Sequence, residues 1–201
     1  MGVAWRRGMS TKQVILVGCG ALGSHLVLNL RNEDAHLKVI DDDRVEQKNV
    51  QAQFHGKPHV GKLKTESLKQ TMLFMFGSKV EAVPHRLTAG NVDVLLVGAD
   101  LVVDALDNGE SRRLVQTYVR AHGVPCVHGA LAADGGFGRV TLDEAFVIDD
   151  EAVAGAVTCH AGEHLPFVVT VAAYLAVAVK TWLVTGKKMG FQVSPVGAIA
   201  V

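Results

Sequence analysis

The sequence has no excess charge of either sign. Its 201 residues include 20 Lys and Arg against 20 Asp and Glu, so the formal net charge is zero. A basic excess is typical of proteins that bind nucleic acid or an anionic membrane, and its absence argues against both partners. With 49% hydrophobic and 20% charged residues, the composition is that of a single globular domain with a sizeable core.

Cysteine is scarce, and the three cysteines, Cys19, Cys126 and Cys159, are widely spaced. They form no disulfide framework and no C-x-x-C pair, so we expect a reducing, cytoplasmic location. His160 and His164 follow Cys159, but one cysteine without a second ligand pair does not make a typical zinc site. We therefore predict no zinc.

Several other signals are missing. We find no secretory signal before the first apolar run, no internal repeats and no low-complexity tract. The run 165–184 is the sole membrane candidate, and it contains Pro166 and Lys180. We interpret it as a core or dimer helix and expect no membrane span.

A strand, a glycine-rich turn and a helix stand near the start of the chain. Val14 to Val17 is an apolar run typical of a buried parallel strand. Gly18, Gly20 and Gly23 then form G-x-G-x-x-G. The first glycine permits the tight turn, the second lets the backbone approach a phosphate, and the third lets the helix pack against the strand.

This turn predicts an adenine nucleotide site. The helix that opens around Ala21 offers free N–H groups and a partial positive charge to an anion. A second apolar strand, 37–40, ends at Asp41, roughly 20 residues beyond the turn, which suits a ribose hydroxyl. Cys19, inside the turn, and Cys126, in a later strand, are interpreted as small packing residues.

Strands and helices alternate as far as residue 130, and the pattern then changes. We predict an α/β fold: a Rossmann-like, doubly wound, mainly parallel sheet, then a smaller mixed or antiparallel β portion with a C-terminal helix and strand. One domain is expected, with a flexible lead-in (1–12), a nucleotide-binding half (13–130) and a second half (131–201). The predicted helices are 24–31, 61–76, 89–96, 109–122 and 166–185. The later predicted strands are 79–83, 101–105, 125–128, 138–148 and 191–201.

Five ordered motifs carry a family resemblance over about residues 13–200. They are D-x-D-x-V-x-x-x-N at 41–49, V-G-x-x-K at 60–64, D-x-x-D-N-x-x-x-R at 104–112, P-x-V-x-G at 125–129, and T-C followed by Pro166 and a helix ending near Gly186. Together they resemble the ThiF/MoeB family and the ubiquitin-activating enzymes. The resemblance is specific for that superfamily and much less so for a substrate.

The resemblance implies ATP-dependent adenylation of a carboxylate, with Mg²⁺ as cofactor. The carboxylate is usually the C-terminal glycine of a small ubiquitin-like or sulfur-carrier protein, and a peptide is the other expected substrate. It also implies a cytoplasmic homodimer. Because charge builds on the phosphates, catalysis is expected to rest on positioning and electrostatics.

The matched positions imply residue roles. The backbone of Gly18–Gly23 would cradle the nucleotide and Asp41 would hold the ribose. Asn49 and Lys64 would contact phosphates, and Asp107 would hold Mg²⁺. Three further matched positions are expected to complete the site: Asp43, Asn108 and Arg112.

Two positions leave the chemistry open. Ala52 stands where the family pattern has an arginine, so Lys48, Lys57 or Lys62, or Arg6 or Arg7 from a second copy, would have to replace it. Cys159 stands where some relatives carry a thioester-forming cysteine, and His160 beside it would favour the thiolate.

Rival interpretations follow from the same residues. An NAD-dependent oxidoreductase explains the glycine turn and Asp41 but not the later motifs. A degenerate subunit that binds nucleotide and acts as a scaffold without catalysis is favoured by Ala52. Adenylation of a tRNA base is a third alternative, and the neutral charge argues against it.

Overall fold

The computed structural model describes residues 11–132, 134–148 and 162–201, which build one eight-stranded sheet with helices on both faces. The strands are β1 (Lys12–Val17), β2 (Ala35–Ile40), β3 (Val80–Val83), β4 (Leu101–Asp104), β5 (Cys126–Leu131), β6 (Gly138–Leu142), β7 (Phe191–Ser194) and β8 (Gly197–Ala200). The helices are α1 (Ala21–Asn29), α2 (Lys64–Phe76), α3 (Val92–Leu96), α4 (Gly109–His122) and α5 (Leu165–Thr185).

The strand order is β3-β2-β1-β4-β5-β6-β7-β8. The first five strands are parallel, and every pairing from β5 to β8 is antiparallel. The predicted fold class is confirmed. The order reverses between β1 and β4, and in open α/β sheets ligands bind beyond the carboxyl ends of the strands at such a point.

Alternate residues of β1 enter two separate cores, which explains its unbroken apolar run. Val14 and Leu16 pack into the core beneath α1, α2 and α5. Ile15 and Val17 pack into the core beneath α3 and α4. A strand that is buried on both faces exposes neither face to solvent, so the run from Val14 to Val17 is entirely apolar.

Helix α5 is the one helix in the described parts of the chain that is long and apolar enough to cross a membrane. Half of it is nevertheless buried within the fold, where it packs against α1, β5 and β6. Pro166 lies in its first turn and Gly186 ends it with a φ of 69°. Its role in a dimer interface stays a prediction.

Several predicted boundaries are wrong, and three of them have a clear physical reason. The strand predicted at 138–148 ends at Leu142, because Asp143 opens a short 3-10 turn and points inward. The strand predicted at 191–201 is a hairpin, because Pro195 and Val196 form the tight turn that joins β7 to β8. The helix predicted from Gly61 begins at Lys64, since Gly61 adopts a φ of 87°.

Candidate functional site

The three glycines of the turn after β1 have three different surroundings. A Cβ on Gly18 would lie 2.7 Å from the carbonyl oxygen of Ala105, so the turn lies directly against the end of β4. A Cβ on Gly23 would lie 1.9 Å from the carbonyl oxygen of Gly18. Gly20 has no atom within 4 Å of its Cβ position, so it faces open space. Of these three glycines, Gly20 is the one that leaves room for an anion to approach the backbone, at the N-terminus of α1.

Asp41 closes this turn from the end of β2. Its Oδ2 accepts a hydrogen bond of 2.6 Å from the Cys19 N–H, and its Oδ1 accepts one of 2.8 Å from the Asp43 N–H. Burial raises the pKa of Asp41 above its usual range, although Lys64 and these two hydrogen bonds oppose the shift. The carboxylate therefore lies beside the glycine turn, where its ribose-binding role was predicted.

Lys64, the first residue of α2, lies against the same carboxylates. Its Nζ is 2.6 Å from Asp43 Oδ2, and its side chain is 9% exposed. Burial alone lowers the pKa of Lys64, but Asp41 and Asp43 outweigh it, so the net pKa is raised. The lysine is thus a fixed positive charge beside the turn.

Asn49 and Ala52 belong to a short 3-10 segment, 47–51, and the residue after it. The buried Asn49 accepts a hydrogen bond of 2.7 Å from the Glu46 N–H through its Oδ1. Ala52 is 1% exposed, and its carbonyl oxygen accepts a hydrogen bond of 3.3 Å from His25 Nε2. Asn49 here shapes the segment, and its phosphate contact stays a prediction.

The three lysines predicted to replace an arginine at position 52 are all exposed, and two of them contact a neighbouring side chain. Lys48 Nζ lies 3.0 Å from Glu46 Oε2, and Lys62 Nζ donates to Gln70 Oε1 at 3.2 Å. Lys57 is exposed.

Other predicted residues fall outside the described part of the chain. Arg6, Arg7 and Cys159 with its neighbour His160 are among them. Their roles remain predictions.

The loop after β4 brings Asp107 to the carboxyl edge of the sheet. Asp107 is exposed, and it lies two residues beyond Ala105, which touches Gly18. Asn108 begins α4 and accepts a hydrogen bond of 2.8 Å from the Ser111 N–H. An exposed carboxylate beside the glycine turn fits the oxygen ligands that Mg²⁺ prefers.

Arg112 ties this loop to the next strand. Its Nη2 donates to the carbonyl oxygens of Leu106 and Gly129, the latter at 2.8 Å. Its predicted role in shaping this corner of the site therefore has a structural basis, because Leu106 immediately precedes Asp107.

His55 lies beneath the glycine turn and was not among the predicted residues. Its Nε2 lies 3.0 Å from the Cys19 carbonyl oxygen and its Nδ1 3.1 Å from Ser67 Oγ. Burial lowers the pKa of His55 to about 4. A carbonyl only accepts, so the neutral ring donates a hydrogen bond from Nε2 and accepts one from the Ser67 hydroxyl at Nδ1.

A mainly apolar pocket of about 640 Å³ extends outward from His55. Its lining comprises Gln53, Phe54, His55, Gly56, His59, Gln70, Thr71, Phe74 and Met75. His59 joins the pocket to the buried polar group, since its Nδ1 lies 2.8 Å from Ser67 Oγ.

A buried network of ionisable side chains behind the loop that follows β4 was also not predicted from the sequence. His128 on β5 lies between the carboxylates of Asp104 and Asp143, with its Nδ1 2.8 Å from Asp104 Oδ2 and its Nε2 3.2 Å from Asp143 Oδ1. The P-x-V-x-G run contains His128, but the motif does not specify that residue, so only the sheet register reveals its partner Asp104.

The two remaining cysteines do not take part in the site chemistry. Cys19 and Cys126 are buried free thiols, and burial raises the pKa of both well above the ordinary value. A thiol of raised pKa is a weak nucleophile, which supports the predicted packing role.

Comparisons with solved structures agree with the fold. E. coli MccB with ATP superimposes with a TM-score of 0.75 at 18% identity, over 94% of this chain and 62% of that chain. PaaA superimposes with a TM-score of 0.74 at 17% identity, over 94% of this chain and 63% of that chain.

Curated relatives match this chain at higher sequence identity. The SAMP-activating enzyme E1 of Haloferax volcanii is 38% identical over 127 residues, which are 60% of this chain and 46% of that protein. The adenylyltransferase and sulfurtransferase UBA4 of Yarrowia lipolytica is 29% identical over 138 residues, which are 67% of this chain and 35% of that protein. The chain spans less than half the length of these two relatives. The family model described as ThiF family matches residues 1–193, and the chain therefore belongs to the ThiF family.

Proposed function

We propose that this chain uses ATP and Mg²⁺ to adenylate a carboxylate, the C-terminal glycine of a ubiquitin-like or sulfur-carrier protein, or of a peptide. The observation that carries the proposal is the meeting of two loops at the strand-order reversal. The glycine turn, with Asp41 and Lys64 beside it, lies against Ala105 of the loop that bears Asp107. The names of the two curated relatives, an activating enzyme and an adenylyltransferase, support the same reaction class.

The reaction transfers the adenylyl group from pyrophosphate to the substrate carboxylate. A carboxylate oxygen attacks the α-phosphorus, a new O–P bond forms, and the bond from the α-phosphorus to the bridging oxygen breaks. Pyrophosphate leaves with that electron pair. Negative charge grows on the phosphate oxygens, so the groups that matter are fixed positive charges and N–H donors placed beforehand.

The residues near the turn meet that need. The first N–H groups of α1 have no acceptor within the helix, and Gly20 leaves space for a phosphate oxygen to reach them. Lys64 offers a point charge that a phosphate would share with Asp43. Bound at Asp107, Mg²⁺ would neutralise charge on the leaving pyrophosphate.

A second candidate is a nucleotide-binding subunit without catalysis. It is favoured by Ala52, which is buried and holds His25 through its carbonyl oxygen in the segment where the family pattern has an arginine. Losing one guanidinium from a charged transition state costs several kcal/mol, on the order of 3 to 4 for a comparable donor. ATP binding alone does not separate the two candidates, but turnover does.

Calorimetric titration with ATP, with and without Mg²⁺, and with NAD tests the nucleotide site. We expect wild type to bind ATP more tightly with Mg²⁺, and Asp107→Ala to lose that gain. Asp34→Ala is the matched control, because Asp34 is exposed and precedes β2 at the opposite edge of the sheet. Binding of NAD in place of ATP would favour an oxidoreductase and overturn the proposal.

ATP–pyrophosphate exchange with candidate carriers ending in Gly-Gly then tests catalysis. Exchange that depends on the carrier's terminal carboxylate supports the adenylation reaction. ATP binding without exchange across carriers and peptides supports the scaffold.

A further inference from the structure

Ionisable side chains form a continuous series of contacts behind the loop that bears Asp107. Arg112 Nη1 lies 3.6 Å from Asp104 Oδ2, which in turn lies 2.8 Å from His128 Nδ1. His128 Nε2 lies 3.2 Å from Asp143 Oδ1, and Asp143 Oδ2 accepts a hydrogen bond of 2.9 Å from Arg120 Nε. Asp104 and His128 are fully buried, at 0% exposure. Buried ionic groups are costly unless paired, so each member depends on its neighbours.

His128 is the link at the centre of this chain. It lies opposite Asp104 in the register of β4 and β5, and the ring of Phe146 stacks on it at 4.0 Å and an angle of 3°. Both nitrogens of His128 thus lie within hydrogen-bond distance of a carboxylate oxygen. The imidazole ring is therefore held by the stacked Phe146 ring on one face and by a carboxylate at each nitrogen.

Asp104 carries the effect of His128 to the nucleotide-binding edge. Its second oxygen, Oδ1, accepts a hydrogen bond of 2.9 Å from the Leu106 N–H. Arg112, which also lies beside Asp104, donates to the Leu106 carbonyl oxygen. Both polar groups of Leu106 are thus held by the network, and the next residue is Asp107.

We propose that His128 is a positioning residue for Asp107: it orients the Asp104 carboxylate, which holds the Leu106 N–H and so places the loop that presents the Mg²⁺ ligand. The inference rests on the proposed function, because that function assigns Mg²⁺ to Asp107. No atom of His128 touches the nucleotide in this scheme. Partners that orient a metal ligand from behind typically contribute 10- to 100-fold in metal affinity.

Two amide substitutions of His128 separate its two hydrogen bonds. In His128→Asn the amide nitrogen takes the place of Nδ1 and keeps the bond to Asp104. In His128→Gln the longer side chain places its nitrogen near Nε2, keeping the bond to Asp143 and losing the one to Asp104. Both variants lose the imidazole ring that stacks on Phe146, so each variant controls for the other's loss of packing.

Three readouts are measured on both variants: thermal stability, hydrogen exchange of the Leu106 amide, and ATP affinity with and without Mg²⁺. We expect faster Leu106 exchange in His128→Gln and ATP·Mg²⁺ binding weakened on the order of tenfold, with Mg²⁺-free ATP affinity within about twofold of wild type. His128→Asn is expected to stay close to wild type both in hydrogen exchange of the Leu106 amide and in the gain of ATP affinity that Mg²⁺ produces.

Equal ATP·Mg²⁺ affinity in wild type and folded His128→Gln would overturn the inference, as would equal losses in the two variants. If His128→Gln does not fold, Asp104→Asn answers the same question, since it keeps an oxygen for Leu106 but turns an N–H toward His128. Wild-type Mg²⁺ response in that variant would also refute the inference. If Asp107→Ala itself keeps the full Mg²⁺ response, the proposed function fails; if only His128→Gln keeps it, this inference alone fails.

Discussion

Two glycines that lie three residues apart after β1, Gly20 and Gly23, should respond in different ways to the same substitution. In Gly23→Ala the new methyl group would lie 1.9 Å from the carbonyl oxygen of Gly18. In Gly20→Ala the methyl group would point into open space, with no atom within 4 Å. The first change damages the fold and the second damages the ligand site.

The magnitude for Gly23→Ala follows from that distance. Cβ atoms essentially never approach a backbone oxygen closer than 3.0 Å, so α1 must move away from β1 by about 1 Å. Both elements are buried and the obstacle is backbone, so a side chain cannot rotate to relieve it. We expect a loss of about 3 kcal/mol, at the upper end for overpacking, and a Tm lower by roughly 6 to 12 °C for a domain of this size.

Gly20→Ala carries no such cost. Gly20 has a negative φ of −77° and no atom near its Cβ position, so the loss of stability should stay well below that of Gly23→Ala. The methyl group instead occupies the approach of a phosphate oxygen to the N-terminus of α1. We expect ATP affinity to fall by about tenfold, equivalent to about 1.4 kcal/mol.

Urea unfolding and thermal melts give the stabilities, and calorimetry gives ATP affinity for whichever variants are folded. A Gly23→Ala variant as stable as wild type would refute the packing account of the third glycine. A Gly20→Ala variant that binds ATP normally would refute the assignment of the phosphate to this turn.

Two further predictions concern charged and titrating groups beside the turn. Lys64→Met should lower stability by about 1 to 2 kcal/mol and weaken ATP binding; the loss of stability is smaller than for a fully buried pair because the Asp43 side chain is 66% exposed. Lys69→Met, at an exposed lysine of the same helix, is the control, and equal melts and affinities of the two variants would contradict the role of Lys64. His55 has a pKa of about 4 when folded against 6.5 ordinarily, so the stability that it contributes above pH 6.5 is lost as the pH falls toward 4. At pH 5 the loss of stability is about 2 kcal/mol. Urea unfolding at pH 7.5 and at pH 5 should therefore show a smaller fall in stability for His55→Gln, which cannot be protonated, than for wild type or for the exposed control His85→Gln. An identical fall in all three proteins would refute this role of His55.

Local patterns predicted the elements around the nucleotide site well. The strand, turn and helix from Lys12 to Asn29 depend on contacts between residues close in sequence, and the three glycine roles follow from backbone geometry alone. The ends of the later strands were predicted poorly. Leu142 ends β6 because Asp143 turns toward partners on α4 and β5, and no feature near residue 143 reveals those partners.

By itself, the sequence determined the fold class, the glycine turn and the ordered motifs at Asp41, Lys64 and Asp107, because these depend on local spacing. The tertiary structure alone decided which side chains are buried together. His55 under Cys19, and His128 between Asp104 and Asp143, join residues that are far apart in the chain. Burial sets the cost of a charge, and burial exists only once the sheet has brought those strands side by side.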